Sequence, residues 1–388
     1  MKSLTVFFIL IVFFSQSSPA IAGPAFSNNT LQKTSFLNLN VPPKGELKNY
    51  FTAEEAAYLA YLDTFYYRID RWIPIFKEKI VFLKAAPKNV ETQLELMKYY
   101  FNLGGLYVEL SHIMGFNSKY KIQKIENESL LNIRQAKRIA TKILDRKGLT
   151  AQQLAQVYFY LGAAEGSLGV LEFRAGNIVS ALINGFQADN HFEKALHFDP
   201  QRMDAHLGLG IYRYGNSRLG GLSNFILQWG RDRRQEGLAH VERAILADGL
   251  STPLAMKTLG WFYIAVQINP DNADLPKDHP LSPHVGRARV HELVETMENR
   301  YFRNQPVQPF IGNKELAMMK GIQFVLDGEY AKARDQFEQI LRILDFLGKT
   351  KGYKINPEQE SSIRAAIGFC DVMLLSVPPA AQRVSHID

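Results

Sequence analysis

One cysteine in 388 residues, Cys370, excludes an internal disulfide and any zinc or iron–sulfur site built on several cysteines. Sustained alternation of apolar and polar residues is nearly absent, so no strand is expected. Charge of one sign is scarce. Lys and Arg number 45 against 38 Asp and Glu, a net +7, which is mild for this length and argues against nucleic acid as a partner. No Gly-x-Ser-x-Gly elbow and no phosphate loop occurs. His291-Glu292 lacks the second histidine of a zinc-protease helix, because Glu295 stands there. His279, His284 and His291 are spread through and just beyond a proline-rich stretch, with no clustered carboxylates, so no metal and no cofactor is expected. Glu128-Ser129, a pair that could suggest a wall-cleaving acid, fits the opening of an ordinary helix better.

What is present begins with an export signal. Lys2 precedes an apolar run from Leu4 to Phe14. Pro19 and Ala20-Ile21-Ala22 then supply a small-x-small cleavage site. Eleven helical residues reach about 16 Å, too short for a hydrocarbon core of about 30 Å. No cysteine follows for lipid attachment. The expected organisation is a cleaved signal at 1–22, a flexible leader at 23–51, a helical domain at 52–376 and a tail at 377–388. The expected compartment is the bacterial periplasm.

From Thr52 onward the periodicity is helical. Thr52 with Glu55, and Thr150 with Gln153, have capping-box spacing. A phrase then recurs: Tyr100-x-x-Leu103-Gly104-x-x-Tyr107, Tyr158-x-x-Leu161-Gly162, His206-x-x-Leu209-Gly210 and Met256-x-x-Leu259-Gly260-x-x-Tyr263. A fifth copy carries Ala317, Gly321 and Phe324. A second phrase follows three of them: Ala188, Phe192, Ala195; Gly237, Val241, Ala244; and Ala333, Phe337, Ile340.

These phrases resemble the tetratricopeptide repeat, a helix pair of about 34 residues. The unit at 314–347 has standard spacing, and the others are elongated between their two phrases. The resemblance spans about 95–347 and implies an all-α fold. It would be an α-α superhelix, a right-handed TPR-like solenoid of antiparallel helix pairs with elongated, insertion-bearing repeats, with an extra helical region at 52–86 and a capping helix at 357–376. It also implies a non-catalytic scaffold that binds a protein or peptide in its concave groove. Mapped onto the first helix of each pair, the groove would be lined by Lys98, Phe101, Phe159, Leu207, Tyr214, Lys257 and Trp261. Packing of some of these against inserted segments could instead close it.

One segment, 212–234, combines five arginines (Arg213, Arg218, Arg231, Arg233, Arg234) with aromatic residues that include Phe225 and Trp229. It offers two readings. Its apolar residues pack on the solenoid while the arginines meet nearby carboxylates, or it forms a cationic surface for peripheral contact with anionic lipid or polymer. Partner identity and oligomeric state are left open.

Overall fold

The computed structural model describes residues 52–114, 123–219, 231–303 and 310–376. The export signal, the leader and the tail expected from the sequence lie outside the described residues. Within them are thirteen α-helices and no strand, each helix after the first packing chiefly on a sequence neighbour. Helix α1 (Ala53–Thr64) starts at a complete capping box. Thr52 Oγ1 accepts from Glu55 N at 3.2 Å, and the Glu55 carboxylate accepts from Thr52 N at 2.8 Å. A 3₁₀ turn (Ile69–Arg71) leads to α2 (Trp72–Ala85).

Five pairs follow. They are α3 (Val90–Met114) with α4 (Gln123–Leu144), α5 (Ala151–Arg174) with α6 (Ile178–Phe198), α7 (Met203–Leu219) with α8 (Arg234–Leu246), α9 (Thr252–Ile268) with α10 (Pro283–Met297), and α11 (Lys314–Leu326) with α12 (Tyr330–Lys351). Helix α13 (Pro357–Ser376) packs on α12. The recurring phrase sits on the first helix of every pair, with Lys320 in place of leucine before Gly321 in the fifth. In the second pair the extra length is helix. α5 has 24 residues and α6 has 21, and the turn between them is made at Gly176, whose φ of +84° suits glycine.

The small residues mark where backbones touch. A Cβ on Gly210 would stand 2.8 Å from Gly237 O, and one on Gly237 would stand 2.7 Å from Tyr214 N, so α7 and α8 meet glycine to glycine. On Gly321 a Cβ would meet the Phe337 ring at 2.7 Å. The fourth pair differs. Gly260 faces Met319 of the next pair, and Gly286 on α10 makes the close approach, 2.9 Å from Tyr263 O.

The array curves around its own first helix. Ten of the twelve residues of α1 are buried. Glu54 pairs with Lys98 of α3 at 2.6 Å, Asn102 Nδ2 reaches Ala53 O at 3.5 Å, and Lys257 of α9 lies 5.4 Å from the Tyr61 ring centroid. The turn after α1 reaches the end of the fourth pair and the start of the last. Tyr66 OH donates to Tyr301 O, Asn313 Nδ2 donates to Phe65 O at 3.2 Å, and the Tyr67 hydroxyl accepts from Lys314 N at 2.7 Å. Tyr67 itself holds φ at +58°, a left-handed conformation that a bulky residue keeps only when its surroundings fix it. Buried Asp63 closes this turn by accepting from Arg68, Arg71 and Trp72 Nε1. The first and last pairs also touch directly. Lys314 Nζ donates to the His112 and Ile113 carbonyls, both at 2.8 Å, and satisfies the C-terminal end of α3.

Candidate functional site

All seven positions assigned to the groove are buried, and none is more than 6% exposed. Lys98 pairs with Glu54 and with Glu95 at 2.8 Å. Phe101 meets Tyr160 edge to face, with centroids 5.4 Å apart. Phe159 packs on Tyr160 and Phe192. Tyr214 stacks on Phe262 at 4.0 Å and donates to its carbonyl at 2.9 Å. Leu207 and Trp261 lie wholly in the core. Lys257 pairs with Glu315 at 2.9 Å and lies 4.0 Å from Glu109. Burial alone would lower the Lys257 pKa, but the two carboxylates outweigh it and hold it well above the ordinary lysine value. These residues are therefore packing residues and not an open partner surface. The correction has a physical cause. α1 is apolar on nearly every face, so it must be enclosed, and it takes up the concave side while presenting Glu54 and Tyr61 to the two lysines.

The cationic segment is corrected in part. Arg213, 4% exposed, is held by Asp189 at 3.1 Å, by Glu193 at 2.5 Å and by Glu236. Arg233 pairs with Glu236 at 2.6 Å, and Arg234 with Asp232 at 2.7 Å. Arg218 is half-buried, and burial lowers its pKa. Arg231 is exposed. Phe225 and Trp229 lie outside the described residues. The partners of Arg213, Arg233 and Arg234 leave little free charge for an anionic surface. The carboxylates that hold Arg213 come from helices on either side of it, about 20 residues away in sequence, and could not be read from the segment alone.

His206 and His240 bridge α7 and α8 beside Arg213, Nδ1 to Nδ1 at 2.8 Å, and His240 Nε2 lies 2.7 Å from Arg213 Nη1. Burial, the Arg213 charge and His206 push His240 down to about 4, with Glu236 opposing and Arg243 adding to the effect. His206 is also lowered, by burial and by Arg243 and Arg213. An unfolded histidine binds its proton near pH 6.5. Protonation therefore favours the unfolded chain as pH falls from about 6.5, and the loss levels off below about 4. We expect about 1–3 kcal/mol to disappear across that window, read as a falling urea midpoint, and His240→Gln to flatten it. An equal slope in the variant would count against the assignment.

Among the described residues, a group of exposed large apolar side chains lies elsewhere, on the N-terminal half of α6. Ile178, Val179, Ile183 and Phe186 are between 54% and 72% exposed, whereas the helix buries Ala188, Phe192 and Ala195 in its other half. No charged residue occurs from Ala175 to Ala188. The signal was present in the sequence as IVSALINGF, an apolar run too dense for one buried stripe.

The histidines weighed from the sequence are not brought together. His291 pairs with Asp327 at 2.8 Å, and His279 Nδ1 accepts from Leu281 N at 3.1 Å. Among the described residues, one group of donors lies close enough to share an ion. It is Glu109, His112 and Glu315, whose ligand atoms fall within 4.8 Å of one another. Neither models of known protein families nor curated proteins give a match to this chain.

Proposed function

We propose that this chain is an exported, tetratricopeptide-like scaffold of the cell envelope. It binds a protein partner, without catalysis, through the uncharged apolar face of α6. The observation that carries the reading is the Ile178, Val179, Ile183, Phe186 stripe, a group of large apolar side chains left in water by a helix that is well packed in its other half. Contiguous apolar exposure of this kind favours a protein surface of matching shape. The absence of charge from Ala175 to Ala188 predicts binding that resists salt. The concave side is taken by α1, so recognition moves to the outside of the array.

A photo-crosslinking residue at Ile183 or Phe186 is expected to capture one envelope protein in both low and high salt. The same residue at Leu246, exposed on α8, should not capture it. Phe186→Asp should abolish capture and leave the melting temperature within about 2 °C, because exposed side chains contribute little to stability. Capture that is equal at Leu246, or that survives Phe186→Asp, would sink the assignment. Export is tested separately. No described helix is long and apolar enough to cross a membrane, and N-terminal sequencing of the envelope form should begin at Gly23. A chain that keeps Met1 would refute cleavage.

A further inference from the structure

The interior of this array holds more ionisable chemistry than a scaffold core needs, and it collects at one place. Glu109 and His112 are three residues apart on α3 and so share a face. Glu315 comes from the first turn of α11, more than 200 residues later. Glu109 is 5% and His112 4% exposed, so both are out of water. A small cavity opens among Thr64, Tyr67, Glu109, His112, Asn313 and Glu315. A second small cavity, which Glu109 also lines, is bordered by Asn102 and Tyr61. Asn102 is 3% exposed, and its Oδ1 accepts no hydrogen bond. A buried amide oxygen without a donor is costly, and it indicates that an electropositive group or water belongs there.

The donor set has a definite chemistry. Two carboxylates and one imidazole suit a borderline divalent transition ion, and three protein ligands beside a cavity leave a coordination position for water. Lys257 reaches both carboxylates, at 2.9 Å from Glu315 and 4.0 Å from Glu109. Lys314 also lines the cavity and donates its ammonium group to the His112 and Ile113 carbonyls. Lys257 orients Glu315 from outside the ligand set, as hydrogen-bonded partners of metal ligands do.

We infer that Glu109, His112 and Glu315 form a divalent transition-metal site, with Zn²⁺ as its representative ion, which clamps the first helix pair to the last around α1. The ion ties residues of α3 and α11 that the chain brings together only when the array has closed.

The test uses the full mature chain, stripped with a chelator and dialysed. Titration with Zn²⁺ followed by calorimetry should show one ion per chain, with a rise in melting temperature of several degrees at saturation. His112→Asn and Glu315→Gln should each weaken uptake at least about tenfold. His279→Ala and His284→Ala should bind like the parent. X-ray absorption at the zinc edge of the parent chain keeps the test decisive even if a variant fails to fold. One imidazole with oxygen ligands is the expected shell, and two or more imidazoles would place the ion on other histidines and overturn the site. Absence of one-to-one uptake by the parent, or unchanged affinity in a folded Glu315→Gln, would overturn it equally.

Discussion

Ala60→Arg will leave the protein unable to melt cooperatively. Ala60 lies near the middle of α1 and is fully buried. The substitution inserts a long side chain where there is no space, which costs about 1–3 kcal/mol. It also forces a cation into a fully buried position, which costs about 3–5 kcal/mol more. The total is comparable to the whole stability of a typical domain, about 5–15 kcal/mol. Circular dichroism should show lost helix or a broad, early transition, and gel filtration an expanded species. A sharp melt at the parent temperature would mean that α1 peels away and the five pairs stand without it.

Gly237→Leu should be nearly as damaging, and clearly worse than Gly321→Leu. A Cβ at Gly237 meets Tyr214 N at 2.7 Å and Gly210 O at 2.9 Å, both main-chain atoms on α7. Backbone cannot rotate out of the way, so α7 and α8 must move apart and the Arg213–Glu236 and His206–His240 contacts between them open. At Gly321 the obstacle is the Phe337 ring, which can turn at the ordinary overpacking cost of about 1–3 kcal/mol. Thermal melts of the two variants side by side check the order. Equal losses, or a milder Gly237→Leu, would show that the α7–α8 crossing is looser than its geometry.

Much of the local architecture was legible because it depends on neighbours in sequence. The capping boxes at Thr52 and Thr150 formed as their spacing implied, and the Leu-Gly phrases fell on first helices. The second helices of the first and fourth pairs were not legible. α4 packs through Ile133, Ala136 and Ala140, and α10 through Gly286, Val290 and Leu293, which lack the small–aromatic–small pattern. The role of α1 was missed for a different reason. AEEAAYLAYLDT was read as an ordinary helix in an extra region, although apolar residues on nearly all its faces mark a helix that must be surrounded. Lys98 and Lys257 looked like groove cations because Glu54 and Glu315, the partners that bury them against other helices, lie 44 and 58 residues away, and the nearby Glu95 alone would leave Lys98 on the surface. The Glu109, His112, Glu315 group was hidden by the same kind of distance, since only closure of the array assembles it.

The position of α1 sets an order of events during synthesis. An ordinary solenoid can grow one repeat at a time, each new unit resting on the last. Here the turn that follows α1, Phe65 to Tyr67, has its final neighbours at Tyr301, Asn313 and Lys314, which leave the ribosome some 240 residues later. α3 can cover part of α1 early, but that turn and the Tyr61 ring wait for the later pairs, and folding governed by such distant pairings is slow and exposed to aggregation. Truncation from the C-terminus should therefore not shorten the array by one unit at a time. It should release the N-terminal helix and dissolve the whole.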